Sequence, residues 1–419
     1  MSTARSLIKE QECINLKPSR RPAICGGKPI RDKFLVFGKP AIGEPEIQEM
    51  VDTLRSGWLG TGPRTRRFEA AFRRYIGSKH AIALNSCTAG LHLALEIVGV
   101  RAGDEVITTP MTFAATANVI VHLGARPVFV DVRRETMNID PTQIEAAITP
   151  RTKAILPVHL AGRPCEMDAI MKIARRHGLY VIEDAAHAIE ASYKGKKIGN
   201  IGDLTAFSFY VTKNLCTGEG GMVTTNNADW ADQLRIKSLH GISQDAWKRY
   251  SADGSTTYET IYPGYKYNMT DMQAALGIHQ LERLEDNLKI RQRYAQSYDK
   301  AFDDLPEISV PDRKLPPRSC HACHLYPLLL DLDRLRIKRN EFIEAMKAEH
   351  VGTGVHFTAL HLHKFYREKF GYKAGQFPNA EWIGQRTLSV PLSPQLSPAE
   401  VDDVSRAVIR LIHYYRKRR

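Results

Sequence analysis

A chain of 419 residues, 43% hydrophobic and 25% charged, is long enough for two or three packed units and excludes the disordered and fibrous classes. Lysine plus arginine exceed aspartate plus glutamate by 59 to 46, a net charge of +13 that invites a polyanionic ligand. The basic residues cluster only at Lys17, Arg20 and Arg21 and at Arg416 to Arg419, with no nucleic-acid reading motif, so the charge fits a phosphorylated small substrate rather than a nucleic acid.

No run reaches the roughly 18 to 20 apolar residues of a membrane span. The longest candidate, Ala83 to Val100, is interrupted by Asn85, Ser86, Thr88, His92 and Glu96. The N-terminus has no apolar core of a secretory signal, and the seven cysteines are odd in number and scattered. A reduced, cytoplasmic protein is the expectation.

Residues 1–35 alternate polar and turn-forming types without periodicity and read as an extension ahead of the core. From 36 the pattern becomes regular. Short β-rich runs begin at Ala81, Glu105, Pro127, Lys153, Leu179, Leu204 and Gly221 and alternate with amphipathic stretches of helical length. This predicts an α/β fold with a largely parallel sheet flanked by helices. The polar tract Ser243 to Thr260 has the composition of a loop that covers a site. One long helical pattern then runs from Thr270 to Phe302, and two β-like runs with two helices complete a smaller α+β unit. The expected organisation is an extension to 35, a large domain over 36–285 and a small domain over 286–419.

Along this frame, the turn Asn85-Ser86-Cys87-Thr88-Ala89-Gly90 joins a strand to a helix. Helix N-termini carry unpaired amides and positive dipole, so Thr88 and Ala89, helped by Ser208, form a candidate phosphate clamp. Most βα turns have similar composition, so this signal alone says little. After the next strand, Phe113 can lie flat on a planar ligand, although core filling is the commoner fate of phenylalanine. Asp184 ends the run LYVIED at the carboxyl edge where open α/β sheets bind ligands. An acid there can hold a pyridine nitrogen protonated, or merely cap a helix.

The strongest local signal is Ser208 to Asn214 followed by Thr217-Gly218-Glu219-Gly220-Gly221. Lys213 sits between an apolar strand and a glycine-rich turn, where a rigid element holds it and backbone can approach a planar ligand. A partly desolvated lysine loses its proton and can form a Schiff base. An isolated lysine in a turn would be a surface residue; the combination with Asp184 and the phosphate turn is what gives it weight.

These residues, in this order, resemble the DegT/StrS family of sugar aminotransferases, with the aspartate-aminotransferase (type I) fold. The likeness extends from about Gly38 to Pro394 through blocks such as Ser56-Gly57-Trp58-Leu59, Thr61-Gly62-Pro63, Glu183 to His187, Met269-Thr270-Asp271 and Leu388 to Leu392. It implies pyridoxal 5′-phosphate as cofactor, with the Schiff base on Lys213, Asp184 at the pyridine nitrogen, Phe113 on the ring and Thr88, Ala89 and Ser208 on the phosphate. His187 stands near the ring hydroxyl, where relatives often have glutamine.

The family usually forms homodimers in which a Gly-Tyr-Asn-Tyr-Arg segment reaches the neighbour's phosphate. This chain has Gly264-Tyr265-Lys266-Tyr267-Asn268, so Lys266 and Asn268 occupy the trans-contact positions with altered chemistry. By the same resemblance Trp58, Thr61, His240, His356 and His361 border the sugar nucleotide, although a loop histidine is more often a surface or packing residue. The implied reaction moves an amino group, with glutamate as donor, onto C4 or C3 of a keto sugar on uridine or thymidine diphosphate. Cys320-His321-Ala322-Cys323-His324 has haem-attachment or metal spacing, but no second cysteine pair accompanies it, and in relatives this segment starts a strand, so no metal is expected. Two rivals are a sugar dehydratase of the same fold, whose relatives carry histidine in place of Lys213, and a cofactor-binding sensor without turnover.

Overall fold

A computed structural model of the chain describes residues 21–242 and 259–417. The predicted cover loop at Ser243 to Thr260 lies, except for its last two residues, outside the described residues.

The large domain begins with helices α1 (Glu44–Ser56) and α2 (Pro63–Ile76), then strand β1 (His80–Leu84) and helix α3 (Cys87–Ile97). Next come β2 (Glu105–Thr108), α4 (Ala114–His122), β3 (Arg126–Phe129), β4 (Thr152–Ile155), α5 (Met167–His177) and β5 (Tyr180–Asp184). A small hairpin, β6 (Ser192–Tyr193) and β7 (Lys196–Lys197), precedes β8 (Leu204–Ser208), β9 (Gly221–Thr225), α6 (Ala228–Ser238) and α7 (Asp271–Glu282). The sheet has seven strands in the order β1-β9-β8-β5-β4-β2-β3. Only β9 runs against its neighbours, so the carboxyl ends of β1, β2, β4, β5 and β8 open on one edge.

Alternate strand residues enter two separate cores. Ile107, Ile155, Val181, Phe207 and Met222 join one cluster, while their neighbours Val106, Ala154, Ile182, Ala206 and Val223 join another on the opposite face. A sheet covered on both sides needs apolar residues at both parities, which is why its strands read as continuous apolar runs. On α2 the apolar residues Phe68, Phe72 and Ile76 recur every fourth position and are buried against that first cluster.

Helix α8 (Leu284–Phe302) leads into strands β10 (Ile308–Ser309) and β11 (Tyr326–Leu330), helices α9 (Arg339–Ala348), α10 (Lys364–Phe370) and α11 (Pro378–Arg386), strand β12 (Thr387–Val390) and helix α12 (Pro398–Tyr415). The strands form an antiparallel sheet β10-β11-β12 packed with α8, α9 and α12 in a third core. Two sequence expectations change here. The small unit holds more than two helices, because the short α10 and α11 carry aromatic residues that pack locally. The long helix from Thr270 is broken at Arg283, whose φ of −99° and ψ of 2° end α7 and start α8. The break lets Leu284 stay in the core of the seven-stranded sheet while Leu288 enters the small-sheet core.

The described part of the N-terminal segment is no free extension. Leu35 forms a parallel bridge with Val351 and belongs to the small-sheet core. Buried Glu349 accepts the amides of Ala23 and Ile30, each at 2.9 Å, and pairs with Arg410 at 3.0 Å. Arg31 pairs with Glu400 and Asp403 on α12. A carboxylate so buried must be matched by charge and hydrogen bonds, and this segment supplies part of the match. Among the described residues no helix is long and apolar enough to cross a membrane.

Phe72 is fully buried and meets Phe207 and Phe209 edge-on with centroids 5.1 and 5.6 Å away. Phe72→Ala is expected to lower unfolding free energy by about 3–5 kcal/mol, read from the midpoint shift in urea.

Candidate active site

At the carboxyl edge a cavity of about 670 Å³ lies between the two sheets. Its floor is the end of β8 and the turn after it. Lys213 donates its backbone amide to Tyr210 at 2.9 Å, and Phe209 and Thr217 close the glycine-rich turn through bonds to Gly220 and from Thr217 to Phe209. A Cβ on Gly221 would lie 2.5 Å from the backbone of Ser86, so only glycine lets β9 pass against the start of α3.

Lys213, Asp184, Thr88, Phe113, His187, Ser208 and His356 line this one cavity. Burial pushes the Lys213 amine down to about 8, against the opposing pull of Cys87 and Asp184. At pH 7 that leaves about a tenth of the amine neutral, against roughly one part in three thousand for an ordinary lysine. Asp184 is buried, which raises its carboxyl above the usual range. Its Oδ1 accepts the Ala186 amide at 3.0 Å and its Oδ2 accepts Thr116 Oγ1 at 2.8 Å. Since Thr116 gives its only hydroxyl proton to Asp184, Thr112 Oγ1, 2.8 Å away, must donate to Thr116. This hydroxyl chain, from Thr112 before α4 to Thr116 within it, holds the acid in place.

The N-terminus of α3 fits an anion. Ser86 caps it by accepting the Ala89 amide at 3.1 Å, which removes Ala89 from the expected clamp in this state. The amides of Cys87 and Thr88 remain without an intrahelical partner, as the first turn of a helix requires. Thr88 and Ser208 add hydroxyls from the same wall. Phe113, the residue before α4, is 65% exposed with its ring 6.1 Å from that of Phe357, so its face is free to take a planar ligand. Anion site, flat aromatic wall, buried acid and partly neutral lysine together fit a phosphorylated pyridine aldehyde.

Burial and the Lys213 charge hold the imidazoles of His187 and His324 well below the usual range and that of His356 down to about 4. All are therefore neutral at physiological pH.

Other expected residues lie elsewhere. Trp58, Thr61, Lys266 and Asn268 line a separate depression of about 820 Å³. There Asn268 Nδ2 donates to Thr61 Oγ1 at 2.7 Å, and the Lys266 carbonyl accepts Asn85. Within one chain, then, Lys266 and Asn268 do not reach the cavity of Lys213. His240 is exposed in a turn with φ of 58° and lines neither space. His361 is corrected: it is fully buried, bonded to Glu381 at 2.9 Å and edge-on to Phe377, because its short helical turn points it into the small-domain packing. Residues the sequence reading missed are Thr112 and Thr116, Asn214, Arg291 and His324. Asn214 was adjacent to the lysine, but nothing local reveals that a histidine 110 residues later bonds to it.

The rate at which cofactor-free protein captures pyridoxal phosphate is expected to rise about tenfold per pH unit below 8 and to flatten above it, since only the neutral amine attacks. Stopped-flow absorbance across pH 6–9.5 checks this; a profile flat from pH 6 would rule out an amine that titrates near 8.

The DegT/DnrJ/EryC1/StrS aminotransferase family model matches residues 40–409. The spore coat polysaccharide biosynthesis protein SpsC of Bacillus subtilis is 53% identical over 379 residues, covering 90% of this chain and 97% of SpsC. A putative sugar aminotransferase, Spr1654 of Streptococcus pneumoniae, solved in its PMP form, superposes with a TM-score of 0.85 at 34% identity, over 90% of this chain and 99% of its own. DesI, solved in the presence of its TDP-sugar product, gives 0.81 at 32% identity, over 93% and 94%. Coverage this complete, on a cavity whose lysine, acid and anion site fit pyridoxal phosphate, places the chain in the DegT/DnrJ/EryC1/StrS family of pyridoxal-phosphate-dependent sugar aminotransferases.

Proposed function

We propose that this enzyme transfers the amino group of glutamate to C4 or C3 of a keto sugar carried on uridine or thymidine diphosphate. The observation that carries the reading is the pairing, within one cavity, of a Lys213 amine pushed down to about 8 with the buried carboxyl of Asp184. The TDP-sugar product of DesI supports the nucleotide-linked substrate.

Pyridoxal phosphate, when bound, supplies a ring that withdraws electrons from the carbon bearing the transferred amine. Asp184 keeps a proton on the ring nitrogen by offering a fixed carboxylate whose other lone pairs Thr116 and Ala186 already occupy. Lys213, with its amine free, would be the group placed to take a proton from the substrate carbon and to give one back. An amine titrating near 8 can both take and give that proton at neutral pH. The amides of Cys87 and Thr88 and the hydroxyl of Ser208 would hold the cofactor phosphate. Lys39, exposed at the cavity wall, is placed to meet the substrate diphosphate.

The depression holding Trp58, Thr61, Lys266 and Asn268 favours a homodimer in which each chain lends these residues to the cavity of the other. Lys266 then brings the positive charge for the phosphate, and Asn268 a hydrogen bond. The dehydratase reading is disfavoured by Lys213 itself, and the sensor reading by the aminotransferase family whose model spans residues 40–409.

Lys213→Arg is expected to abolish turnover, by at least roughly a thousandfold, and to lose the covalent adduct that borohydride fixes and mass spectrometry detects. Asp184→Asn is expected to slow turnover by roughly a hundredfold or more while leaving the fold intact; wild-type rates would remove Asp184 from its role. Product analysis with glutamate and 3-keto and 4-keto sugars on both nucleotides decides the substrate. Glutamate-independent behaviour across that panel would defeat the proposed reaction.

A further inference from the structure

Two neutral histidines meet in the cavity of Lys213, His187 on the large domain and His324 on the strand entry of the small one, with ring centroids 4.5 Å apart and planes tilted by 36°. Their hydrogen-bond partners fix opposite tautomers. The Ala161 amide donates to His187 Nδ1 at 3.2 Å, so that nitrogen carries no proton and the neutral ring must carry its proton on Nε2. Asn214 Nδ2 donates to Glu190 Oε2 at 2.8 Å and to the Ala322 carbonyl at 3.2 Å, both pure acceptors. Its Oδ1 therefore faces His324, and His324 Nδ1, 2.9 Å away, must be the donor. His324 Nε2 is left as a bare acceptor.

The arrangement is built rather than incidental. Glu190 is fully buried and paired with Arg291, which is itself buried and also donates to the Cys323 and Ala322 carbonyls. This ion pair fixes which way Asn214 points. The turn that donates to His187 also holds His324, because the Ala161 carbonyl accepts the His324 amide at 3.1 Å. A Cβ on Gly162, at φ of 96°, would lie 2.9 Å from Ala322 Cβ and 3.0 Å from the His187 carbonyl oxygen. Both rings line the cavity, and neither Nε2 has a hydrogen-bond partner among the described residues.

We infer that His187 and His324 form a hydroxyl-reading pair, in which His187 Nε2–H donates to the oxygen of a ligand hydroxyl and His324 Nε2 accepts its proton. A hydroxyl is the simple group that satisfies a donor and an acceptor at once. A carboxylate or phosphate would leave His324 facing an acceptor, and an ammonium would leave His187 facing a donor. The hydroxyl belongs either to the cofactor ring or to the sugar; the sugar arm rests on the function proposed above. His324 acts by positioning and moves no proton.

His324→Asn keeps an N–H for Asn214 but loses Nε2, whereas His324→Gln places a side-chain oxygen near the Nε2 position. Protein loaded with pyridoxal phosphate is titrated by its visible absorbance without substrate, and the glutamate and sugar half-reactions are then timed separately, using UDP- and dTDP-linked 4-keto hexoses. If the cofactor hydroxyl is the ligand, the midpoint moves by roughly one pH unit in His324→Asn and returns towards wild type in His324→Gln. If a sugar hydroxyl is the ligand, the midpoint stays, the glutamate half-reaction is unchanged and the sugar half-reaction slows roughly tenfold in His324→Asn alone. The proposal is overturned if His324→Asn matches wild type in both arms, or if His324→Gln loses as much as His324→Asn. Should His324→Asn not fold, His324→Phe, which retains the stacking surface, carries the same expectation. A wild type that aminates neither sugar counts against the proposed function alone; an unmoved midpoint then overturns the hydroxyl pair.

Discussion

Withdrawal of one lysine amine from water is the constraint on which the rest of the site depends. An ammonium is stable because water solvates it, and burial at the end of β8 removes that solvation while the nearby carboxyl of Asp184 restores only part of the lost charge stabilisation. Everything around Lys213 is consistent with keeping that balance. Neighbouring imidazoles are neutral, so they neither repel the amine strongly nor compete for its proton. Asp184 is tied by Thr116 and Ala186, whose hydrogen bonds hold its carboxyl in place. A lysine fully paired with a carboxylate would remain charged and chemically idle.

The site is made by two bodies of packing rather than one. The seven-stranded sheet contributes the phosphate turn, the acid and the lysine from the carboxyl ends of β1, β5 and β8, as open sheets of this kind do. His324, Leu325, Val355, His356 and Phe357 come from the other side. A buried ion pair, Arg291 with Glu190, ties α8 to the large domain directly beneath them. Such a pair is costly to desolvate and gives little net stability, but removing one partner strands the other. Its value here is geometric, because it fixes Asn214, and through Asn214 the tautomer of a histidine in the cavity.

The first described residues have a comparable role at the cavity entrance. Glu349 and α12 hold residues 23–35 against the small domain. The chain leaving that anchor runs through Phe37, whose ring stacks 5.6 Å from His356, and on to Lys39 and Ala41 along the wall. A segment that reads as irregular in sequence thus has both ends committed, one to a buried carboxylate and one to the site.

By itself the sequence determined the sheet and the chemistry of its edge. The strands are apolar at both parities because both faces are covered, and the residues that follow several strand ends carry short-range signals that, weak singly, gain weight from their order along the chain. Lys213, Asp184, Thr88 and Phe113 were legible for that reason. Tertiary structure alone decided which histidines face the cavity: His361 and His324 both stand between apolar neighbours, yet one is bonded to Glu381 in local packing and the other to Asn214 beside the cavity. It also decided that the helical pattern after Thr270 breaks at Arg283, since periodicity continues unchanged while the core it faces changes. Direction at such places is set by contacts from 20 to more than a hundred positions away, and a one-dimensional pattern carries no record of them.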